Sequence, residues 1–310
     1  MSLKMSAAKK SVCVIGAGPC GMSALYHFGN TDGGKDVDVV CYEKQSTWGG
    51  LWNFSWRTGN DEFGELCHNG MYKNLWCNSP KETIEFPDYT YEDHFGKAIP
   101  SYPPRPVLRD YLEGRSYRKS FIYSSIIPAF GGVKFKCNSF SFMEDELRLQ
   151  SSLSMYPDNL YKGTLWLGGG GNKLFYMGIQ DQYYSYTIYD AQGLWTCKYI
   201  LGQIPNEPKS MHEMKVSVKE WRGKCSKLKS VHDDIDFQTE VLTDWCKDTG
   251  YPTDATKAGK LLHEWEQHKV ENIVTYRDQC FTSVFTGTKS PKHSVPWWKA
   301  FDDSIDAFVK

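Results

Sequence analysis

The run Gly16-Ala17-Gly18-Pro19-Cys20-Gly21 constrains this chain more than any other feature. It is a GxGxxG set between a short β-branched stretch, Ser11–Ile15, and a segment of helical character, Gly21–Phe28. Val37–Tyr42 reads as a second buried strand. Strand, glycine turn, helix and strand open a parallel α/β sheet. The first glycine permits a tight turn, the second lets backbone approach a pyrophosphate, and the third lets helix and strand pack closely. The helix N-terminus adds free N–H groups and a positive dipole end. An acid is expected about 20 residues on to hold ribose hydroxyls. Glu43 stands 22 residues after Gly21, at the end of the second strand. A tight turn without a ligand is the plainer reading, and the acid at that spacing argues against it. The pattern alone does not separate FAD from NAD(P). Trp48-Gly49-Gly50-Leu51-Trp52 follows at once, allowing a second close backbone approach and aromatic cover for a flat ring.

The rest of the chain narrows the class. Its 310 residues suit two domains or one large one. Lys and Arg number 36 against 37 Asp and Glu, which is not the footprint of a nucleic-acid binder or a polybasic membrane protein. No apolar stretch is long enough to span a membrane, and Met1–Lys10 lacks the apolar core of a signal peptide. The ten cysteines form no CxxC and no zinc-ligand spacing, so they read as reduced thiols in a cytoplasmic protein without a metal site. Aromatic residues make up 15%; such residues wall a flat ligand or, more plainly, fill a core. Residues 49–106 are loop-rich, a helix is expected over Val107–Arg115, and strands over Leu165–Leu167 and Leu174–Met177. Gly168–Gly171 reads as a loop between those strands. Asp190–Leu201 and most of the tail read as helical. Ala258, Leu261, Leu262 and Trp265 keep helical spacing, which Val270, Ile273 and Val274 continue after a slip of one.

Longer motifs carry a family resemblance. Tyr42-Glu43-Lys44-Gln45 with Trp48-Gly49-Gly50-Leu51-Trp52-Asn53, and Met71 through Glu82, resemble flavin-containing monooxygenases, in particular the bacterial trimethylamine monooxygenase branch and its animal relatives. His94–Lys97, Ser101–Arg105, Met155–Gly163, Gly178–Ser185, His268–Ile273 and Thr286–Thr288 extend the likeness, which covers about residues 10–115 and 140–310. The resemblance implies FAD held by Gly16, Gly18, Pro19, Cys20, Gly21, Glu43, Gln45, Leu51, Trp52 and His68, with Gln180 returning from a later segment and Trp76 lining the flavin and nicotinamide. Cys20 stands where the family often has Ser, and a thiol is the poorer donor to phosphate. The family's chemistry is hydride transfer from NADPH to FAD, O₂ addition to give a C4a-hydroperoxyflavin, and oxygen transfer to a soft amine nitrogen or sulfide. Asn78 is the implied catalytic residue, an amide that donates a hydrogen bond without being a strong acid. Outside the resemblance, an Asn that fixes the turn before Pro80 is the plainer reading.

The family also carries a second Rossmann unit for NADPH, and this sequence has no second fingerprint for it. Ser116–Cys137 matches nothing in the family. The expected organisation is therefore an α/β, Rossmann-like FAD-binding domain formed by 1–115 and 141–208, an atypical junction at 116–140, and a helical C-terminal tail at 209–310. Val133–Cys137 is the candidate for the strand lost with the second unit, and an exposed sheet edge would favour a homodimer. Two functions compete: a flavin-dependent N- or S-oxygenating monooxygenase acting on small amines or sulfides with O₂, and a truncated, inactive relative that retains FAD-domain surfaces. A flavin disulfide reductase is disfavoured, because Cys67 and Cys77 lack the tight spacing of a redox pair.

Overall fold

Strand β1 (Ser11–Ile15), helix α1 (Pro19–Asn30) and strand β2 (Asp38–Glu43) form in the expected order, with β1 and β2 parallel and Ser11 opposite Asp38. The computed structural model describes residues 9–61, 64, 67, 71–117, 126–128, 143–149, 154–205, 207–208 and 210–310. Pro19 opens α1 at a position where its missing N–H costs nothing and its fixed φ suits a first turn. After a loop region holding the short helix α2 (Tyr91–Phe95), helix α3 (Arg105–Tyr117) crosses back to β3 (Ile126–Pro128). This third strand lies parallel to β2, giving the order β1-β2-β3. Its terminal Pro128 sits at a sheet edge, where a missing donor is tolerated. The third strand thus forms at Ile126–Pro128; Val133–Cys137 lies outside the described residues.

The sheet is covered unevenly. Val12, Val14, Val39 and Cys41 face a core shared with α1, α3 and helix α4 (Tyr186–Leu201). On the other face Cys13, Ile15 and Tyr42 are exposed, the last two at 49% and 41%. Parallel sheets are normally covered on both faces, and among the described residues this face departs from the rule. Helix α4 is buried nearly all round because it serves two cores. Tyr186 and Cys197 join the sheet core, while Ile188, Ala191 and Trp195 join a second core built with the tail. At Gly193 a Cβ would press against the backbone of Ser23 and Ala24, so glycine sets the close approach of α4 to α1.

A two-stranded antiparallel ribbon, β4 (Leu160–Tyr161) and β5 (Leu165–Trp166), precedes α4. Leu174–Met177 does not form a full strand; only Phe175 bridges to Leu165. The ribbon turns through Lys162 and Gly163, both at positive φ. Lys162 accepts that backbone because its Nζ reaches Asp244 (2.6 Å) and Asp248 (2.8 Å) while its carbonyl accepts from Trp245 Nε1 (3.1 Å). In the tail, α5 (Met211–Cys225), α6 (Val231–Thr249) and α7 (Ala255–Glu271) start at Ser210, Ser230 and Asp254, each side chain accepting an N–H of the first turn. Ala258, Leu261, Leu262 and Trp265 are buried as their spacing requires. Val270, in the last turn of α7, is exposed, and Ile273 and Val274 are exposed beyond Glu271, where the helix has ended and no longer continues the stripe. Helix α8 (Ile305–Val309) closes the chain.

Candidate functional site

The glycine turn is built as a cradle. Gly16 sits at φ +96°, and its N–H donates to Tyr42 O (2.7 Å). At Gly21 a Cβ would overlap the carbonyl oxygen of Gly16, so only glycine lets α1 begin there. Gly18 caps α1 without any side-chain acceptor, leaving the first-turn amides unclaimed by side chains. The second glycine loop rests directly on this turn: Gly49 N–H donates to Ala17 O (2.8 Å), and a Cβ at Gly50 would stand 3.0 Å from Gly18 Cα. Glu43 is buried at the end of β2, where its carboxylate accepts from the N–H groups of Ala17 and Gln45. An ionised carboxylate has further lone pairs to offer hydroxyls.

The Trp48–Asn53 loop is clamped from two sides. Gln45 Nε2 donates to Gly50 O (3.3 Å), and Asn53 Nδ2 donates to Trp48 O (2.7 Å). From α3, the Arg109 guanidinium stacks 4.0 Å from the Trp48 ring centre and donates to Asn53 Oδ1 (3.0 Å), while Arg105 donates to Trp52 O (3.4 Å). The sequence reading missed these arginines. Their signal was present: Arg105, Arg109 and Glu113 recur every four residues, one stripe of a helix. Leu51 is half-exposed beside the cradle, and Trp52 tilts against Tyr186.

The remaining implied residues are engaged elsewhere. The Cys20 thiol lies against Gly178, and burial pushes it up to about 12, so it stays neutral. Gln180 is buried against Gly163 and accepts from Gln192 Nε2; Gln192 in turn accepts from Gly178 N–H (2.9 Å). Trp76 is buried edge-on to His293 and Phe308, each 5.6 Å between ring centres. Asn78 has an exposed side chain, but its carbonyl accepts from Trp265 Nε1 (3.0 Å), and the neighbouring Cys77 carbonyl accepts from Arg277 Nε (2.9 Å). His68 lies outside the described residues.

Behind the cradle lies a buried ionic cluster that sequence spacing gave no hint of. Arg115, at the end of α3, reaches Asp190 (2.9 Å) and Asp88 (2.7 Å) between the faces of Tyr26 and Phe86. His27 and Tyr251 complete the hydrogen bonding of Asp190, each at 3.0 Å. Burial works to raise the Asp190 carboxyl, but Arg115 and His27 outweigh it and hold it below the ordinary carboxylate range. A cavity of about 20 Å³ beside Arg115, Pro19 and Trp48 has room for no more than a water. All nine described cysteines are free, and no metal-binding group occurs among the described residues. No described helix is long and apolar enough to cross a membrane.

Comparison with known proteins gives this geometry a family. Residues 9–126 match the family model described as flavin-binding monooxygenase-like. The chain is 32% identical to a trimethylamine monooxygenase of Methylocella silvestris, covering 96% of this chain and 97% of that one. A trimethylamine monooxygenase of Pelagibacter ubique is 30% identical, covering 96% and 99%. The crystal structure of Tmm from Pelagibacter sp. strain HTCC7211 superposes with a TM-score of 0.88 at 28% identity, covering 96% of this chain and all of that one. The Methylocella alignment runs over 443 positions, whereas this chain has 310 residues, so at least 133 of those positions (443 less 310) face none of its residues. The chain belongs to the flavin-binding monooxygenase-like family.

Proposed function

We propose that this chain is an FAD-binding oxygenase of the trimethylamine monooxygenase type, acting on small amines or sulfides with O₂. The observation that carries the reading is the double-glycine cradle, with Gly18 against Gly50 and Glu43 beneath it. A Cβ at Gly50 would stand 3.0 Å from Gly18 Cα, so glycine keeps the two turns close with their backbone open, which fits the phosphate and ribose end of FAD. In this reading the amides of Gly18, Cys20 and Gly21 take the pyrophosphate, and Glu43 takes ribose hydroxyls. Pro19, Gln45, Leu51, Trp52 and His68 border the nucleotide, and Trp76 and Gln180 lie at the flavin end. Bound FAD would supply oxygen activation after reduction by NADPH. Asn78 donates a hydrogen bond at the oxygen-activating centre; its carbonyl is held by Trp265, and that of the neighbouring Cys77 by Arg277. The domain reading goes with it: FAD domain at 1–115 and 141–208, junction at 116–140, tail at 209–310, in a cytoplasmic protein.

Two observations favour a second reading. The relatives' alignment exceeds this chain by at least 133 positions, and Ile15 and Tyr42 on one sheet face are exposed. In that reading the NADPH unit is missing, the chain binds FAD without turning over, and the bare face pairs two copies. The purified chain, loaded with FAD, decides between them. Trimethylamine-stimulated NADPH oxidation supports the first. Bound flavin that NADPH fails to reduce supports the second.

A further inference from the structure

Away from the cradle, an open cleft of about 550 Å³ lies in the tail and is lined by Thr275, Asp278, Gln279, Cys280, Lys289, Ser290 and Lys292. Both of its walls are closed by backbone hydrogen bonds. One is the tight turn Tyr276–Asp278 that follows α7, closed by Asp278 N–H to Thr275 O (2.9 Å) and Gln279 N–H to Tyr276 O (3.2 Å). The other is the hairpin 281–290, closed by Ser290 N–H to Phe281 O (2.9 Å) and Ser283 N–H to Thr288 O (3.0 Å). That hairpin is anchored to the protein interior: Ser290 Oγ and Ser283 Oγ donate to the buried carboxylates of Glu82 and Glu85. The acid lining the cleft, Asp278, already accepts from Trp297 N–H (3.0 Å). Lys289 and Lys292 are exposed, and neither has an ion-pair partner among the described residues.

Two ammonium groups without ion-pair partners, Lys289 on the hairpin and Lys292 two residues beyond it, with hydroxyl and amide donors beside them, are the chemistry of a dianion site. Lysine acts on phosphate as a point charge, and a phosphate monoester carries between one and two negative charges at neutral pH. We propose that this cleft binds the phosphate group of a small phosphate compound, with Lys289 and Lys292 supplying the charge and Thr275 and Gln279 supplying neutral donors. The site is independent of the FAD reading, because none of its residues belongs to the cradle.

Calorimetric titration of the full chain with inorganic phosphate, at ionic strength held constant with chloride, tests it. Saturable binding is expected in the wild type, weakened at least about tenfold in the K289Q/K292Q double variant. Both lysines are exposed, so the variant is expected to keep the wild-type circular dichroism and melting temperature. Competition by glycerol phosphate would assign the site to monoesters, and its failure would assign it to free phosphate. No saturable binding in the wild type, or undiminished binding in the folded double variant, overturns the proposal.

Discussion

The glycine cradle and the Trp76–Asn78 segment are both tightly held, but by different neighbours. The cradle is built by residues close in sequence: Gly16–Gly21, Glu43 and the Trp48–Asn53 loop, with α3 as the clamp. Trp76–Asn78 depends on the far end of the chain: Trp265, Arg277, His293 and Phe308. The cradle faces outward with first-turn amides unclaimed by side chains, whereas Trp76 is spent on packing. The geometry of the cradle is thus a local property, and the geometry of Trp76–Asn78, the proposed catalytic end, is a property of the tail.

That contrast can be broken by substitution. Gly21→Ala drives a methyl group into Gly16 O, and FAD affinity is expected to fall at least about a hundredfold, with a stability loss of about 3 kcal/mol. Fluorescence titration with FAD and urea melts read the two effects. The buried ionic cluster behind the cradle comes next. Asp190→Asn leaves Arg115 half-paired in a buried site, which costs about 3 kcal/mol at neutral pH. Because the folded Asp190 carboxyl lies below its unfolded value, its stabilisation is complete above the ordinary carboxylate range and lost as pH falls beneath it. The gap in stability between wild type and Asp190→Asn is therefore expected to close below about pH 4, as urea melts across pH would record.

Smaller effects probe the tail's hold on the catalytic end. Phe308→Ala uncovers one edge of Trp76 and is expected to cost about 2 kcal/mol, less than a mid-chain Phe because α8 is terminal. Its signature is a red-shifted tryptophan emission with FAD affinity unchanged. Trp265→Phe removes one hydrogen bond to the Asn78 carbonyl, worth about 1 kcal/mol. In a working enzyme it should raise the share of NADPH spent on hydrogen peroxide while leaving FAD binding intact. A loss of FAD affinity in either tail variant would erase the contrast between the two regions.

Much of the first region was legible in the sequence. The strand, turn and helix follow from β-branched runs and glycine spacing, and Glu43 falls where a ribose acid belongs. The helices of the tail were legible from periodicity, until the last turn of α7 and the residues after it, where Val270, Ile273 and Val274 are exposed. What stayed hidden was long-range. Nothing in local spacing pairs Arg115 with Asp190, or Trp76 with Phe308, because those contacts join segments far apart in the chain. The third strand at Ile126–Pro128 was obscured for the same reason: three residues carry no periodicity, and pairing with β2 defines them.

The central claim is that the local cradle binds FAD whatever the tail and the shortened chain do to turnover. Titration of the purified 310-residue protein with FAD, beside Gly21→Ala, tests it directly. The account expects one FAD per chain, held by the wild type and lost from the variant. A folded wild-type protein that takes up no FAD, or a Gly21→Ala variant that binds it equally well, would contradict the account.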